Sequence, residues 1–276
     1  MRTHPDPRHP RPGERRPARA TRGGVVRRPD GLRISRSPGT RQPGTDLRRR
    51  PGGRAVRVAA AIFWKDLLIE WRSRDRIVAM LLFSLLTVMV FHFSLPGGAT
   101  AQTQAMAPGL LWIAYVFSAL FGLGRSFSLE LENDALSGLA LAPTDRGWIL
   151  LGKVAANLVI LGVAQAVTAL VFALVFDLSL LPVAPALAGI VVLGSLGLCT
   201  VGTFFSAIAV QTRFREVMLP LLLLPVLWPL LSAAVRATTA LLAGEPVPSE
   251  AIQLLIVSDA TYLIVSFLSF DFILDD

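Results

Sequence analysis

The sequence is nearly without cysteine and has few groups that could ligate a metal ion. Its single cysteine, Cys199, has no partner for an internal disulfide. The chain contains no CxxC, CxxCH or HExxH motif. These absences argue against a disulfide-stabilised scaffold and against a structural or catalytic metal site. Because Cys199 lies in an apolar run, we expect it to act as a small buried hydrophobe.

Charge is also scarce once the chain passes residue 76. Residues 77–276 contain 6 Lys and Arg and 12 Asp and Glu, whereas residues 1–76 contain 21 and 7. Ionisable residues inside membrane spans usually mark ion pathways or proton relays, and we find no pair of them at the middle of a span. The scarcity argues against a proton- or sodium-coupled carrier and against an intramembrane enzyme. We expect Asp259 to be solvated near the outer end of its helix.

Hydrophobic residues are abundant instead. They make up 53% of the chain, and the mean hydropathy is +0.57. A helix that crosses a bilayer needs about 20 mostly apolar residues. Six runs approach that length: 77–95, 107–124, 148–176, 186–210, 217–235 and 254–274. The predicted fold is therefore all-α, a polytopic membrane protein with six transmembrane helices.

The fifth run differs from the others because it holds three prolines, Pro220, Pro225 and Pro229. Each proline removes a backbone donor and frees a carbonyl, which must then be satisfied inside the protein. We therefore predict a kinked or re-entrant segment at this place.

Residues 1–55 form a separate domain in this prediction, a basic tail that precedes the six-helix domain of residues 56–276. The tail is rich in Arg, Pro and Gly, so it cannot bury enough apolar surface to offset its ordering entropy, and we predict that it is disordered. It also lacks the apolar core of a signal peptide. One alternative is that the tail is not translated and that the true start lies near Val56 or Val58. Another, a nucleic-acid-binding tail, is weaker, because basic residues beside a membrane segment fit cytoplasmic topology.

Residues 57–76 predict an amphipathic helix that lies in the membrane interface. Phe63, Leu67 and Trp71 recur at i, i+4 and i+8. Trp64 and Trp71 are expected at headgroup depth as interfacial anchors. Glu70 and Arg74 have the spacing of a favourable ion pair on one helix.

The basic residues also predict the topology. With six spans, both termini lie on one side of the membrane, together with Arg125, Arg146 and Lys153 and the basic turn at 211–216. The opposite side keeps only Arg236. This bias places the termini and both basic loops in the cytoplasm.

The longest charged interruption between two apolar runs is residues 125–153. Its acidic residues, Glu130, Glu132 and Asp134, are too polar for the bilayer, so the second span must end by about Ser126. A new helix can be capped at Asn133 or Asp134, since a short side-chain oxygen accepts from free backbone N–H groups.

The new helix is short. Leu136, Leu139 and Ala140 share one of its faces, and Pro143 ends it. A solvated loop has no need of this apolar face. We therefore predict that residues 125–147, the coupling segment, present a docking helix to a cytoplasmic partner.

A second motif in this region is misleading. Residues 147–153, GWILLGK, match GxxxxGK, but a phosphate loop also needs Ser or Thr next and a preceding strand. Position 154 is Val, and the run opens a membrane span. We expect no nucleotide site here, no enzymatic activity, and a Lys153 that extends to the cytoplasmic headgroups as a third interfacial anchor.

Several of these residues together resemble the heme exporter protein B family (CcmB). The resemblance covers roughly Val58 to the C-terminus and rests on the run Ala107-Pro108-Gly109-Leu110-Leu111-Trp112, then Arg125, Glu132, Leu136, Leu139, Ala142-Pro143 and Lys153. Two features depart from the family pattern. The 55-residue tail is not part of it, and Asn133-Asp134 stand where the family has an acid followed by glycine at the start of the docking helix.

The resemblance implies an ABC-2-type permease fold and a role as the membrane subunit of an ABC transporter in cytochrome c maturation. The coupling segment would then contact a cytoplasmic ATPase (CcmA-like) that holds the ATP, through Glu130, Glu132, Asp134, Leu136, Leu139 and Pro143. Other implied partners are heme-handling membrane subunits, a periplasmic heme chaperone and a second copy of the chain. Heme is a candidate cargo, and release of the loaded heme chaperone is the alternative that the resemblance implies. No paired histidines are present to ligate heme iron, which favours an ATP-driven conformational role over direct heme ligation. An ABC-2-type permease for another cargo, such as a lipid-linked glycan or a drug, remains an alternative.

Overall fold

The computed structural model describes residues 51–95, 101–127, 146–209 and 215–273. They form seven α-helices: α1 (Pro51–Ser73), α2 (Asp75–Ser94), α3 (Ala101–Leu123), α4 (Gly147–Val175), α5 (Ala184–Ala209), α6 (Arg215–Leu242) and α7 (Ser249–Ile273). The described ranges contain no strand, so the all-α prediction is confirmed. Helix α1 begins at Pro51, inside the stretch assigned to the tail, so helical structure starts before the predicted boundary after residue 55. The rest of the tail lies outside the described residues.

Six of these helices, α2 to α7, are long and apolar enough to cross a membrane. Their bounds follow the six predicted runs, with the largest extensions in α3, α6 and α7. The prediction of six spans is confirmed on these grounds. Helix α1 lacks the hydropathy of a span, in keeping with the amphipathic pattern of its sequence.

The junction of α1 and α2 is a sharp break at Arg74, whose φ is 58°. A bulky residue rarely adopts this left-handed conformation, so the chain turns there instead of continuing one helix. Glu70 then reaches past the break and accepts from the Ile77 backbone N–H at 3.0 Å. The predicted Glu70–Arg74 pair is wrong, because Arg74 instead donates to the Trp71 carbonyl and covers its ring.

Helix α6 is one continuous helix of 28 residues despite its three prolines, so a re-entrant path is wrong. Neighbouring side chains bond to the backbone around Pro229. The Tyr262 hydroxyl of α7 donates to the Val226 carbonyl, and Ser232 donates to the Pro229 carbonyl at 2.9 Å. The carbonyl that Pro229 itself leaves without a helical donor is that of Pro225, so these bonds add partners to neighbouring carbonyls.

Small residues on α5 let the other helices approach it closely. Trp112 of α3 lies against Gly194, Leu230 of α6 lies against Gly197, and Leu123 lies against Gly202. A similar contact joins α1 to α4, where a Cβ at Gly152 would lie 2.6 Å from the Ala59 carbonyl oxygen. Association through small residues is the usual packing mode of membrane helices, because lipid removes most of the hydrophobic drive between them.

Candidate functional site at the base of the coupling segment

Residues 128–145 of the coupling segment lie outside the described residues, which resume at Arg146. The residues predicted to contact a partner, Glu130, Glu132, Asp134, Leu136, Leu139 and Pro143, lie outside the described residues, and their role stays a prediction. The structure does describe what lies beneath both ends of the segment. There, α1, α2, α3, α4 and α5 meet around a buried cluster of polar side chains, which we call the base cluster and define as Asp66, Glu70, Arg76, Ser126, Lys153, Asn157 and Thr203.

Lys153 is the most deeply buried cation of the base cluster. It is 1% exposed, and its ammonium lies 3.2 Å from the Asp66 carboxylate of α1. It also donates to the Ser126 carbonyl at 3.0 Å and lies 4.5 Å from the centre of the Phe127 ring. The prediction that Lys153 extends to the headgroups is therefore wrong. An ammonium buried in the bundle needs a carboxylate and hydrogen-bond acceptors, and the base cluster supplies both.

A second ion pair in the base cluster joins α1 to α2. The Arg76 guanidinium donates to the Glu70 carboxylate at 3.0 Å, and Glu70 is 5% exposed. Another nitrogen of the same guanidinium donates to the Asn157 side-chain oxygen at 3.0 Å. The break at Arg74 is what brings Arg76 back towards Glu70. Both acidic side chains of α1 thus face inward and are neutralised there.

Asn157 is the centre of the base cluster, because it contacts three different helical segments. Its amide nitrogen donates to the Ser126 hydroxyl at 2.9 Å and to the Thr203 hydroxyl at 2.8 Å. Its oxygen is taken by Arg76. One amide group therefore joins α4 to α2, to α5 and to the residues that follow α3. Its oxygen and both of its N–H groups are used.

Polar residues continue along the same face of α4 beyond the base cluster. Gln165 accepts from Ser195 of α5 at 2.8 Å, and Thr168 shares a hydrogen bond of 2.8 Å with Ser84 of α2. Residues 153, 157, 165 and 168 are spaced by multiples of a helical turn, so they form one stripe. Neither this stripe nor a site formed by Asp66, Glu70, Asn157 and Thr203 was predicted from the sequence. The pattern that could have indicated the site is Lys153 and Asn157, two polar residues at i and i+4 in an apolar span.

The outward face of α1 carries the two tryptophans predicted as interfacial anchors. Trp64 is 64% exposed and Trp71 is 76% exposed, and Arg57 and Arg72 are exposed beside them. The acidic residues of α1 face the bundle, so charge is segregated across the helix. This arrangement suits a helix with one face on a protein and the other towards headgroups, and the anchoring role of both tryptophans stays a prediction.

Asp259 lies elsewhere than predicted. It is the eleventh residue of α7 and is 4% exposed, so it is neither at a helix end nor solvated. Its carboxylate faces Gly197 of α5, and neither oxygen has a hydrogen-bond partner among the described residues. It is separate from the base cluster.

The GxxxxGK sequence is helical throughout, as the first two turns of α4, and Lys153 at its end is engaged by the base cluster. A phosphate loop would require a strand before it and backbone N–H groups free to bind phosphate. Within the described ranges, no three His, Cys, Asp or Glu side chains are grouped as metal ligands. The base cluster is suited to hold helices together, because Lys153 of α4 binds both Asp66 of α1 and the Ser126 carbonyl after α3.

Fold and site together define a polytopic α-helical membrane protein with six spans, a flanking amphipathic helix and a buried polar cluster that joins α1 to α4 and to the end of α3. Residues 57–272 match the family model described as CcmB protein, and the chain belongs to that family. It is 30% identical over 208 residues to heme exporter protein B of Paracoccus denitrificans, which covers 75% of this chain and 94% of that protein.

Two further relatives carry the same name. Heme exporter protein B of Rhodobacter capsulatus is 30% identical over 175 residues, which are 62% of this chain and 78% of that protein. The protein of that name from Pseudomonas aeruginosa is 27% identical over 189 residues, 68% of this chain and 84% of that protein. The similarity thus spans most of the membrane domain.

Proposed function

We propose that this chain is the membrane subunit of an ABC transporter that acts in heme export for c-type cytochrome biogenesis. The observation that carries the proposal is the match of residues 57–272 to the CcmB family, together with relatives named heme exporter protein B that align over as much as 94% of their length. The chain contributes the six spans, and a separate cytoplasmic ATPase contributes nucleotide binding and hydrolysis.

The ATPase contacts the coupling segment in this proposal. Glu130, Glu132 and Asp134 supply polar contacts, Leu136 and Leu139 supply an apolar face, and Pro143 ends the docking helix. The base cluster supports this role because it fixes both ends of the segment. Lys153, six residues after the end of the segment, donates to the carbonyl of Ser126, near its start, at 3.0 Å. A displacement of the docking helix is then passed to α1 and α4 together.

The proposed complex contains two copies of this chain, two ATPase subunits, further heme-handling membrane subunits and a periplasmic heme chaperone. It lies in the bacterial inner membrane with both termini of this chain in the cytoplasm. The acidic side chains of α1 face the bundle and Arg57 and Arg72 are exposed, which fits a cytoplasmic interface. Trp64 and Trp71 anchor α1 there.

The alternative, an ABC-2-type permease for another cargo, is less favoured because the relatives share one name over most of the chain. A secondary carrier is disfavoured because its ion pathway would need paired ionisable residues within the spans. Among the described residues, the buried Asp259 and Lys153 do not form a pair, and Lys153 is already engaged by Asp66.

The test is expression of this chain in a bacterium that lacks its own heme exporter protein B, together with purification of the tagged chain in mild detergent. We expect recovery of covalently attached heme in c-type cytochromes and co-purification of one ATPase. An ATPase from a glycan or drug operon, with no change in c-type cytochromes, would refute the heme assignment.

A further inference from the structure

An apolar groove of about 520 Å³ lies between α3 and α6. This volume is in the range of small-molecule sites, about 300–1,000 Å³. Its walls carry three aromatic side chains, Trp112 and Phe117 of α3 and Trp228 of α6. Its polar members, Ser232 and Arg236, both belong to α6. Arg236 is near the end of the bundle opposite the base cluster, six residues before the end of α6 at Leu242.

The groove is built around a fixed indole. Trp112 is 2% exposed, and its ring nitrogen donates to the Thr238 hydroxyl at 3.0 Å. Tyr115 packs edge-on against it with ring centres 5.6 Å apart, and Gly194 leaves the space in which the indole lies. Trp228, by contrast, is 73% exposed. One wall is thus rigid, and the other presents a free aromatic face, the arrangement that suits a flat apolar ligand.

Arg236 adds a charge to this apolar surface. It is exposed, and it forms no hydrogen bond or ion pair with any other described residue. At 1.5 Å per residue it lies roughly 9 Å before the end of α6, and an arginine near the end of a span reaches the interface or pairs with an anion. Its guanidinium offers five N–H donors with the geometry to hold a carboxylate through two hydrogen bonds.

We propose that this groove binds the tetrapyrrole ring, with Arg236 pairing with a ring carboxylate. The inference rests on the proposed function, which supplies a flat aromatic diacid as the cargo. The lining residues include no histidine, cysteine, methionine or tyrosine, the side chains that ligate heme iron. The groove therefore recognises the ring and its acid group and leaves the iron without a protein ligand.

The absence of an iron ligand from the lining gives a sharp test. The purified full-length chain in nanodiscs of phosphatidylcholine is titrated with protoporphyrin IX, iron protoporphyrin IX and protoporphyrin IX dimethyl ester, and the Kd of each is measured by tryptophan quenching. We expect the first two to bind within about threefold of each other. The ester should bind at least tenfold more weakly, since a hydrogen bond to a charged group contributes roughly 1.5–3 kcal/mol, or about a 10- to 150-fold change in affinity.

Two variants separate the contributions of charge and stacking. Arg236→Gln should weaken both free acids at least tenfold and leave the ester unchanged. Trp228→Ala should weaken all three ligands. Both side chains are exposed, so neither change removes packing from the fold. Matched controls are Arg57→Gln, an exposed arginine on α1, and Leu268→Ala, which lines a different apolar groove between α4 and α7. Neither control should alter any Kd.

Three results would overturn the inference. They are iron protoporphyrin that binds far more tightly than the metal-free acid, an Arg236→Gln variant with unchanged affinities, and complete displacement of the porphyrin by anionic phosphatidylglycerol added to the nanodiscs. The last result would assign Arg236 to lipid phosphate. If the chain restores c-type cytochromes but binds no porphyrin, the inference fails and the proposed function stands. If it binds porphyrin as described but restores no cytochrome and recruits no ATPase, the proposed function fails.

Discussion

The Lys153 ammonium and the Asp66 carboxylate lie 3.2 Å apart at a place where the lysine side chain is 1% exposed. The pair joins the start of α4 to the amphipathic helix α1. Lys153 also holds the Ser126 carbonyl at the point where the chain leaves α3 for the coupling segment. Two segments far apart in sequence, α1 and the coupling segment, therefore meet at one buried cation.

Removal of either charge of this pair should destabilise the bundle. For Asp66→Asn we expect a loss of about 3–5 kcal/mol in the free energy of unfolding, because the buried Lys153 ammonium loses its carboxylate. Lys153→Met should cost less, since Lys65 still lies 3.0 Å from the Asp66 carboxylate. The measurement is an SDS unfolding titration of the purified chain. Arg72→Met, which removes an exposed cation of α1, is the control and should change stability by less than about 0.5 kcal/mol. Equal effects of Arg72→Met and Lys153→Met would contradict the buried pair.

Asn157→Leu should uncouple several helices at once. The change removes three hydrogen bonds. It also leaves one N–H group of Arg76 without its acceptor, although Arg76 keeps Glu70, so we expect a loss of at least about 2 kcal/mol in the free energy of unfolding. The matched control is Gln104→Leu, an exposed amide on α3. A loss for Asn157→Leu no larger than that for Gln104→Leu would mean that Asn157 does not hold these segments together.

The spans could be predicted from the sequence because bilayer thickness fixes the length of an apolar run and polar loops mark its ends. The base cluster could not. The prediction that Lys153 reaches the headgroups is wrong because nothing in the chain order shows that α1 folds back onto α4. Only this packing places Asp66 beside Lys153. Arg74 was misassigned for a related reason. The i,i+4 rule assumes a continuous helix, and the left-handed residue itself ends that helix.

Asp66 and Asp259 should respond in opposite ways to the same substitution. Asp66 has a cationic partner, whereas both oxygens of Asp259 are buried without a hydrogen-bond partner among the described residues. Asp259→Asn removes an unpaired acid from the interior, so we expect it to leave the free energy of unfolding unchanged or to raise it. Asp66→Asn is the matched comparison and should lower it. A loss of stability in Asp259→Asn as large as that in Asp66→Asn would show that Asp259 has a partner in the assembled protein.

The docking face of the coupling segment gives a prediction about assembly. Leu136→Asp combined with Leu139→Asp should abolish association with the ATPase and leave membrane insertion intact, because it places charge on an apolar contact face. Co-purification from membranes and the abundance of the chain are measured together. The control is Leu181→Asp, which charges an exposed leucine in the turn between α4 and α5, at the other end of the bundle. Wild-type recovery of the ATPase with the double variant would refute the docking role.

Two glycines of α4 allow the contact between α1 and α4 to be tested within one helix. At Gly152 an added Cβ would lie 2.6 Å from the Ala59 carbonyl oxygen, a backbone atom that cannot move unless α1 moves with it. At Gly162 an added Cβ would have no atom of another helix within 4 Å. Gly152→Ala should therefore cost about 1–3 kcal/mol through overpacking. Gly162→Ala should leave stability unchanged or raise it by up to about 1 kcal/mol, since alanine is the better helix former.

Because α1 carries Asp66 and Glu70, Gly152→Ala should also weaken the Asp66–Lys153 pair, so that Lys153→Met costs less in that background than in the wild-type chain. Additive effects of the two changes would mean that α1 can shift on α4 without disturbing the base cluster.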